Sequence, residues 1–348
     1  MKTAQTISNS LAKLAEPLIV GNVVLRNRIF GAPMSGVSDF PYRKRVLMHG
    51  AAVSVAEMTP ASRLIGVQRH TPQRRSAPEG AINMVQLAGR DPAALEEAAR
   101  ICAGEGADII DINFGCPAKK VTGGYAGSAL MREPDLAARL VAAAVKAVDV
   151  PVTVKMRLGW DAEQKNAAEI ARLAVEAGAQ MITVHGRTRC QFYNGSADWN
   201  SIAAVRDAVK IPLVVNGDIV SVETAIAALE ASGADAVMIG RACYGSPWLP
   251  GQIAFAAGDI EAAKHIPQTR SEIAAYVVSH HQETLDLYGF EQGMRHARKH
   301  LGWYLDSFAP PTSSILRSVI LTSLNVAEIH SALQTAFTET QDLLVAAE

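Results

Sequence analysis

A chain of 348 residues with 49% hydrophobic and 19% charged residues has enough apolar content for a large buried core, which argues against a disordered protein. Its 33 basic residues against 34 acidic ones, a formal net charge of −1, exclude a uniformly basic nucleic-acid coat and a polyanionic tail, so any cationic surface must be local. The four cysteines, Cys102, Cys116, Cys190 and Cys243, form no C-x-x-C pair and no dense spacing, which argues against a disulfide framework and against bound metal.

The opening residues, MKTAQTISNSLAKLAEPLIV, are broken by Glu16 and Pro17 before a signal-peptide core could form, and no later run reaches ~18 apolar residues. A cytoplasmic protein off the membrane is expected, with residues 1–20 as an N-terminal extension. From Ile29 to about Arg241, short β-branched runs alternate with longer Ala/Leu/Glu-rich amphipathic runs. In chain order the predicted strands are RIFGAP from Arg28, VSVAEM from Val53, INMVQL from Ile82, DIIDINF from Asp108, VTVKMR from Val152, MITVHG from Met181, LVVNGD from Leu213 and AVMIGR from Ala236. Predicted helices start at Asp91-Pro92, Glu133-Pro134 and Ser221, and Gly106, Gly178 and Gly233 end three of them. Eight such units predict an α/β fold of the (β/α)8 TIM-barrel type over residues 21–255. No G-x-G-x-x-G follows a strand, which argues against a Rossmann unit. Beyond Pro250 the strand signal stops, and residues 256–348 read as a C-terminal all-helical bundle domain.

In such barrels the chemistry gathers at the carboxyl ends of the strands. Those ends carry Pro33-Met34, Glu57, Gln86, Asn113, Lys155, His185, Asn216-Gly217-Asp218 and Gly240-Arg241, which an apolar core would not choose. The NGD and GR segments fall where barrels bind phosphate. Lys155 is either a Schiff-base former or a cation facing a flavin or substrate, and Arg157 shares its strand face. Gln86 and Asn113 offer amide groups suited to a pyrimidine or flavin edge. His185 is read as an acid, a phosphate donor or a flavin contact, and Glu57 as an ion-pair brace for Lys155 or Arg157. Cys116 stands between Gly115 and Pro117 on the loop after strand four, beside Lys119 and Lys120, with Gly123, Gly124 and Gly127 expected to let that loop move. A catalytic thiol is expected there.

The linked segments APMSGVSDFPYR, DINFGCPAKKV, VKMRLGW, HGRTRCQFYNGSADW, VNGDI and MIGRACYGSPW resemble the tRNA-dihydrouridine synthases, most closely the bacterial B-type subfamily, over nearly the whole chain. The resemblance implies FMN in the barrel, NADPH as reductant and reduction of the 5,6 double bond of tRNA uridines. Residue by residue it implies that Pro33, Met34 and Ser35 contact the flavin, Gln86 and Lys155 its ring, and His185 its ring or phosphate side. Asn216, Gly217, Asp218, Gly240 and Arg241 would hold its phosphate, Asn113 and Arg157 the target uracil, and Cys116 would be the proton donor. The extension to about Pro17 and the Gly123-Gly124 pair are not hallmarks of that family.

An ordinary thiol stays protonated near neutral pH and can act as a general acid to C5 once hydride reaches C6. The base must leave its stack, so an RNA track is required. Its candidates are Arg43-Lys44-Arg45, Arg63, Arg69, Arg74-Arg75, Lys119-Lys120, Arg187 and Arg189, with Arg295, Arg298 and Lys299 in the tail beside Trp303 and Tyr304. The tail from Gly251 carries 6 basic against 11 acidic residues, which is reconciled with RNA binding if those three cations, with Arg317, share one helix face. A monomer is expected. The alternatives are an FMN barrel acting on a free pyrimidine or dihydroorotate-like molecule, a Schiff-base aldolase and a non-catalytic RNA-binding barrel.

Overall fold

The computed structural model describes residues 9–65, 75–123, 126–309 and 312–338. Two units separate: the chain up to Ala242 with Leu249–Ala263, and Cys243–Trp248 with the chain from Lys264 onward.

In the first unit the β-branched runs pair in parallel in the order of the sequence. The strands are β1 (Leu18–Val20), β2 (Val23–Leu25), β3 (Ile29–Gly31), β4 (Val53–Ser54), β5 (Thr59–Pro60), β6 (Met84–Ala88), β7 (Ile109–Phe114), β8 (Val152–Arg157), β9 (Ile182–His185), β10 (Leu213–Asn216) and β11 (Ala236–Ile239). From β6 to β11 each strand pairs with the next, and β11 pairs back to β3. The predicted strand at Val53 is interrupted. Its first half, β4, pairs with β3, and its second, β5, pairs with β6. Between them the Ala56 N–H donates to the Met84 carbonyl at 3.0 Å, so residues 53–60 act as one bent strand that closes an eight-membered barrel. At the bend Glu57 accepts the Gly36 N–H at 2.9 Å instead of bracing a cation.

β1 and β2 form an antiparallel hairpin that the sequence reading did not anticipate. Gly21 turns it at φ 59°, the left-handed conformation a two-residue hairpin turn needs. Leu18, Val20 and Leu25 share a buried cluster with Phe30, Met84 and Met181, residues in the first two positions of a barrel strand or just before one. The hairpin therefore seals the amino end of the barrel and leaves the carboxyl end for chemistry.

Helices return the chain between strands, as the cap residues predict. Asp91 accepts the Ala94 N–H at 2.8 Å ahead of Pro92–Gly104. Ser221 and Thr224 form a capping box on Val222–Ser232, which Gly233 ends in the left-handed region. Leu249–Ala256 and a 3-10 turn at Ile260–Ala263 belong to the barrel unit.

Among its described residues the second unit holds four helices, Arg270–Tyr288, Phe290–Phe308, Ser314–Thr322 and Val326–Thr338, around a core that includes Trp248, Val277, Leu301, Tyr304, Leu333 and Phe337. Among the described residues no helix is long and apolar enough to cross a membrane.

Phe30 is fully buried on β3 inside the barrel-end cluster. Phe30→Ala should destabilise the barrel unit by about 3–5 kcal/mol through lost burial and a cavity, read as a lower urea midpoint at unchanged m-value.

Candidate active site

Alternate residues of a parallel strand face the same side, so Asp111 and Asn113 on β7 and Lys155 and Arg157 on β8 share the inner face. Register sets Gln86 beside Asp111, Asp111 beside Thr153, Asn113 beside Lys155, and His185 beside both Arg157 and Asn216. Most of the expected site residues are thereby brought to one end of the barrel.

The Lys155 ammonium donates to Asn216 Oδ1 at 3.1 Å, and Asn216 Nδ2 donates to the Met238 carbonyl at 2.8 Å. Burial, with the Arg157 charge, lowers Lys155 to about 8 against the opposing pull of Asp111, so at pH 7 it is still mostly a cation. His185 is held well below the usual imidazole range by burial and by Lys155, Arg157, Arg187 and Arg241 around it. It is neutral at pH 7, which removes its reading as an imidazolium acid. Arg187 Nη1 lies 3.4 Å from His185 Nε2, and because arginine only donates, this nitrogen is the acceptor and Nδ1 carries the proton.

Cys116 is half-buried on a loop that is pinned rather than loose. Asn113 Oδ1 accepts the N–H groups of Gly115 at 3.1 Å and Cys116 at 2.8 Å. The Cys116 carbonyl accepts the Ser128 hydroxyl at 2.9 Å and its N–H at 3.1 Å. Gly127 sits at φ 61°, and a Cβ there would come within 2.8 Å of the Cys116 carbonyl oxygen. That glycine therefore serves close approach, where the sequence suggested mobility; Gly124 lies outside the described residues. The backbone is fixed on both sides of the thiol, and the thiol is within electrostatic reach of Lys155 and Arg157.

Arg157, expected at the substrate, is 2% exposed. Its Nε donates to the Gly115 carbonyl and its Nη1 to the carbonyls of Thr188 and Phe192, each at 2.8 Å, so it ties the cysteine loop to the loop after β9. Burial draws its guanidinium down to about 10. Arg187, also expected at the substrate, is likewise 2% exposed and grips Asp218 with both terminal nitrogens, at 2.8 and 2.6 Å. Asp218 also accepts the Ala197 N–H at 2.7 Å, and Arg241 lies 3.7 Å away. Burial alone would raise its carboxyl, but Arg187, the Ala197 N–H and Arg241 hold it below the ordinary value. A carboxylate so placed repels an anion directly, and its physical role is to orient Arg187 and Arg241.

Gly217 takes φ 111°, and a Cβ there would meet His185 Cδ2 at 2.7 Å. At Gly240 a Cβ would come within 3.9 Å of Met34 Sδ, which puts the end of β11 against the Pro33-Met34-Ser35 segment. Pro33 and Met34 are half-buried and Ser35 is exposed. Sequence reasoning missed Tyr193, an exposed ring 4.6 Å from the Arg241 guanidinium and 5.5 Å from that of Arg157. It also missed Asp111 and Thr153, although an Asp two residues before Asn113, inside a β-branched run, was a usable signal.

Several expected RNA contacts are structural. Arg43, Arg45 and Arg75 are buried: Arg43 donates to the Ser38 and Ser76 carbonyls, Arg45 to the Pro41 carbonyl, and Arg75 pairs with Glu105 at 2.6 Å. Arg69, Arg74 and the side chain of Lys120 lie outside the described residues. In the helical unit Arg295 and Arg298 are exposed and Lys299 is half-buried, while Arg317 pairs with Asp306 at 2.8 Å. Tyr304 is in the core, its hydroxyl 3.0 Å from His280 Nδ1, and Trp303 stacks on Tyr244 at 3.9 Å, so neither ring is bare for a base.

Residues 30–341 match the family described as dihydrouridine synthase (Dus). A protein of Rhizobium leguminosarum bv. phaseoli named "Probable tRNA-dihydrouridine synthase" is 50% identical over 309 residues, 89% of this chain and 95% of that one. The tRNA-dihydrouridine synthase B of Pectobacterium carotovorum is 44% identical over 292 residues, 84% of this chain and 90% of that one. Among solved structures, histamine dehydrogenase from Rhizobium sp. 4-9 superposes with a TM-score of 0.56 at 16% identity, over 79% of this chain and 51% of its own, a likeness of fold alone.

Asp218→Ala should leave the Arg187 charge buried and unpaired. Because Asp218 is partly solvated, the loss should lie at the low end of about 3–5 kcal/mol, measured by chemical denaturation. An unchanged midpoint would show that the pair does not hold this loop.

Proposed function

This chain belongs to the dihydrouridine synthase family, and we propose that it is an FMN-dependent oxidoreductase that uses NADPH to reduce the 5,6 double bond of tRNA uridines, with Cys116 as proton donor. The observation that carries the assignment of Cys116 is its loop: N–H and carbonyl are both anchored, at 2.8 and 2.9 Å, while the half-buried thiol stands near Lys155. Such anchoring holds the thiol in one place relative to Lys155, as a group that must deliver a proton to one carbon requires.

The residues present fit FMN. Lys155 and neutral His185 supply a cation and an N–H for a ring edge rich in carbonyls and nitrogens, whereas the Gln86 amide, expected at the ring, is 1% exposed and held by Asp111 and Asn113. At the other end Arg241 supplies a half-exposed cation for a phosphate, while a Cβ on Gly217 would meet His185 and Ala197, so that glycine lets the turn pack against His185. When bound, FMN supplies hydride to C6 of the uracil, and NADPH restores it.

The chain's own residues do the rest. Asn113 and the cations near it orient the base, and Lys155, charged below about pH 8, favours negative charge developing on the reacting groups. Cys116 then gives up its Sγ proton to C5: the S–H bond breaks as the C5–H bond forms, leaving a thiolate within electrostatic reach of Lys155 and Arg157.

Cys116→Ala should retain flavin and bind tRNA yet form dihydrouridine about 10²- to 10⁴-fold more slowly, the usual worth of a general acid. Cys116→Ser should be nearly as slow, because a hydroxyl is a far weaker acid. Single-turnover oxidation of pre-reduced enzyme by tRNA measures both; a Ser variant at the wild-type rate overturns the role, and a wild-type enzyme that makes no dihydrouridine overturns the function.

The helical unit is proposed to bind tRNA through Arg295, Arg298 and Lys299 on the helix Phe290–Phe308. Reversing all three to Glu should abolish tRNA binding and flatten its salt dependence while NADPH oxidation continues. Unchanged tRNA affinity in that variant refutes the assignment.

A further inference from the structure

The cysteine loop hangs from a chain of buried polar side chains that runs across three strands. Thr153 Oγ1 donates to Asp111 Oδ1 at 2.6 Å, and Gln86 Nε2 donates to Asp111 Oδ2 at 2.6 Å. Asn113 Nδ2 donates to Gln86 Oε1 at 2.7 Å, and Asn113 Oδ1 accepts from Gly115 and Cys116. Asp111 and Gln86 are each 1% exposed and Asn113 is 7% exposed, so Asn113 is the member still open to solvent.

Both ends of this chain are fixed by chemistry. The N–H groups of Gly115 and Cys116 can only donate, and a carboxylate can only accept. Burial pushes the Asp111 carboxyl up to about 6, opposed by Gln86, Thr153 and Lys155, so it remains ionised at neutral pH. Between an acceptor at one end and donors at the other, two primary amides can satisfy every contact in a single orientation. Turning Gln86 over would set its oxygen against Asp111 and its NH2 against that of Asn113. Turning Asn113 over would set its NH2 against two backbone N–H groups. Each such mismatch leaves polar groups unmet where little water can reach them, so the full cost of their desolvation goes unrelieved.

We propose that Asp111 is a positioning residue of this site, setting through Gln86 and Asn113 the donor–acceptor polarity of a buried relay that holds Cys116 in place and leaves Asn113 only an N–H to offer the base. A base is then met at a carbonyl oxygen and not at an exocyclic amine. The inference rests on the proposed function for the identity of the base, whereas the relay itself concerns the loop alone.

The test is an exchange of acid and amide. Gln86→Glu places two carboxylates in contact and should loosen the loop, raising the rate of Cys116 alkylation by iodoacetamide about threefold or more, with peptide mass spectrometry separating Cys116 from the exposed Cys190. In Gln86→Glu with Asp111→Asn every bond can form again: the introduced carboxylate accepts from Asn113 and from the introduced amide, whose oxygen accepts from Thr153. That double variant should return to within about twofold of the wild-type rate, a coupling of the size seen between residues in direct contact. A double variant as fast as Gln86→Glu alone, in protein that remains folded, overturns the proposal, because a merely structural Asp111 gives no rescue. In dihydrouridine formation Asp111→Asn, whose oxygen still accepts, should lose less than about tenfold in kcat, and Asp111→Leu at least ten times more, with little change in KM for tRNA; equal losses also overturn it. If the wild type makes no dihydrouridine the proposed function fails, while the alkylation rates still decide the relay.

Discussion

An inward-facing polar side chain in a parallel barrel has little water to satisfy it, so each must find a partner on a neighbouring strand or be paired by a loop. That constraint organises the carboxyl end of this barrel. Gln86, Asp111, Asn113 and Thr153 satisfy one another, Lys155 leans on Asn216, and Asn216 reaches on to the backbone of β11. Because the bonds run strand to strand, no one of these side chains can shift alone. The sheet register, set by apolar packing far from the site, thereby fixes the position of a thiol that belongs to no strand.

The same reasoning governs charge. Burial, joined by the four cations Lys155, Arg157, Arg187 and Arg241 around it, keeps His185 neutral. Two buried or half-buried carboxylates offset them: Asp111 below Lys155, and Asp218 clamped to Arg187. The cost of desolvating so many ions is met by hydrogen bonds to backbone carbonyls, three of them from Arg157 alone. The excess of positive charge suits the phosphate and RNA backbone that the proposed function would bring to this site.

Much of this arrangement is legible in the amino-acid sequence. The alternation of β-branched and Ala-rich runs predicts eight barrel strands, and polar residues at their ends predict where Gln86, Asn113, Lys155, His185 and Asn216 gather. Period and composition are local properties, and they report local structure well. The split of the second strand at Ala56 is not local, since it depends on which neighbour each half meets. Nor is the hairpin at Leu18–Leu25, where LIV-GN-VVL is short enough to pass as a tail until the apolar starts of the barrel strands require a cover.

Arginine is where sequence misleads most, and for a physical reason. Its long stem reaches equally well outward to solvent or inward to several carbonyls, and its five donors suit a phosphate or a set of loop oxygens alike. Arg43, Arg45, Arg75, Arg157 and Arg187 all take the inward course. The cationic surface of the barrel unit is therefore smaller than a count of its basic residues implies. What stays near the rim includes Arg132 and Arg189, whose guanidiniums lie 4.0 and 4.6 Å from the Trp160 ring, and Arg241 over Tyr193. Stacking of this kind holds a guanidinium by its face and leaves its edge donors free. A charge so held gives up little conformational freedom when a phosphate arrives, so a few stacked arginines can serve where the raw count suggests that many are needed.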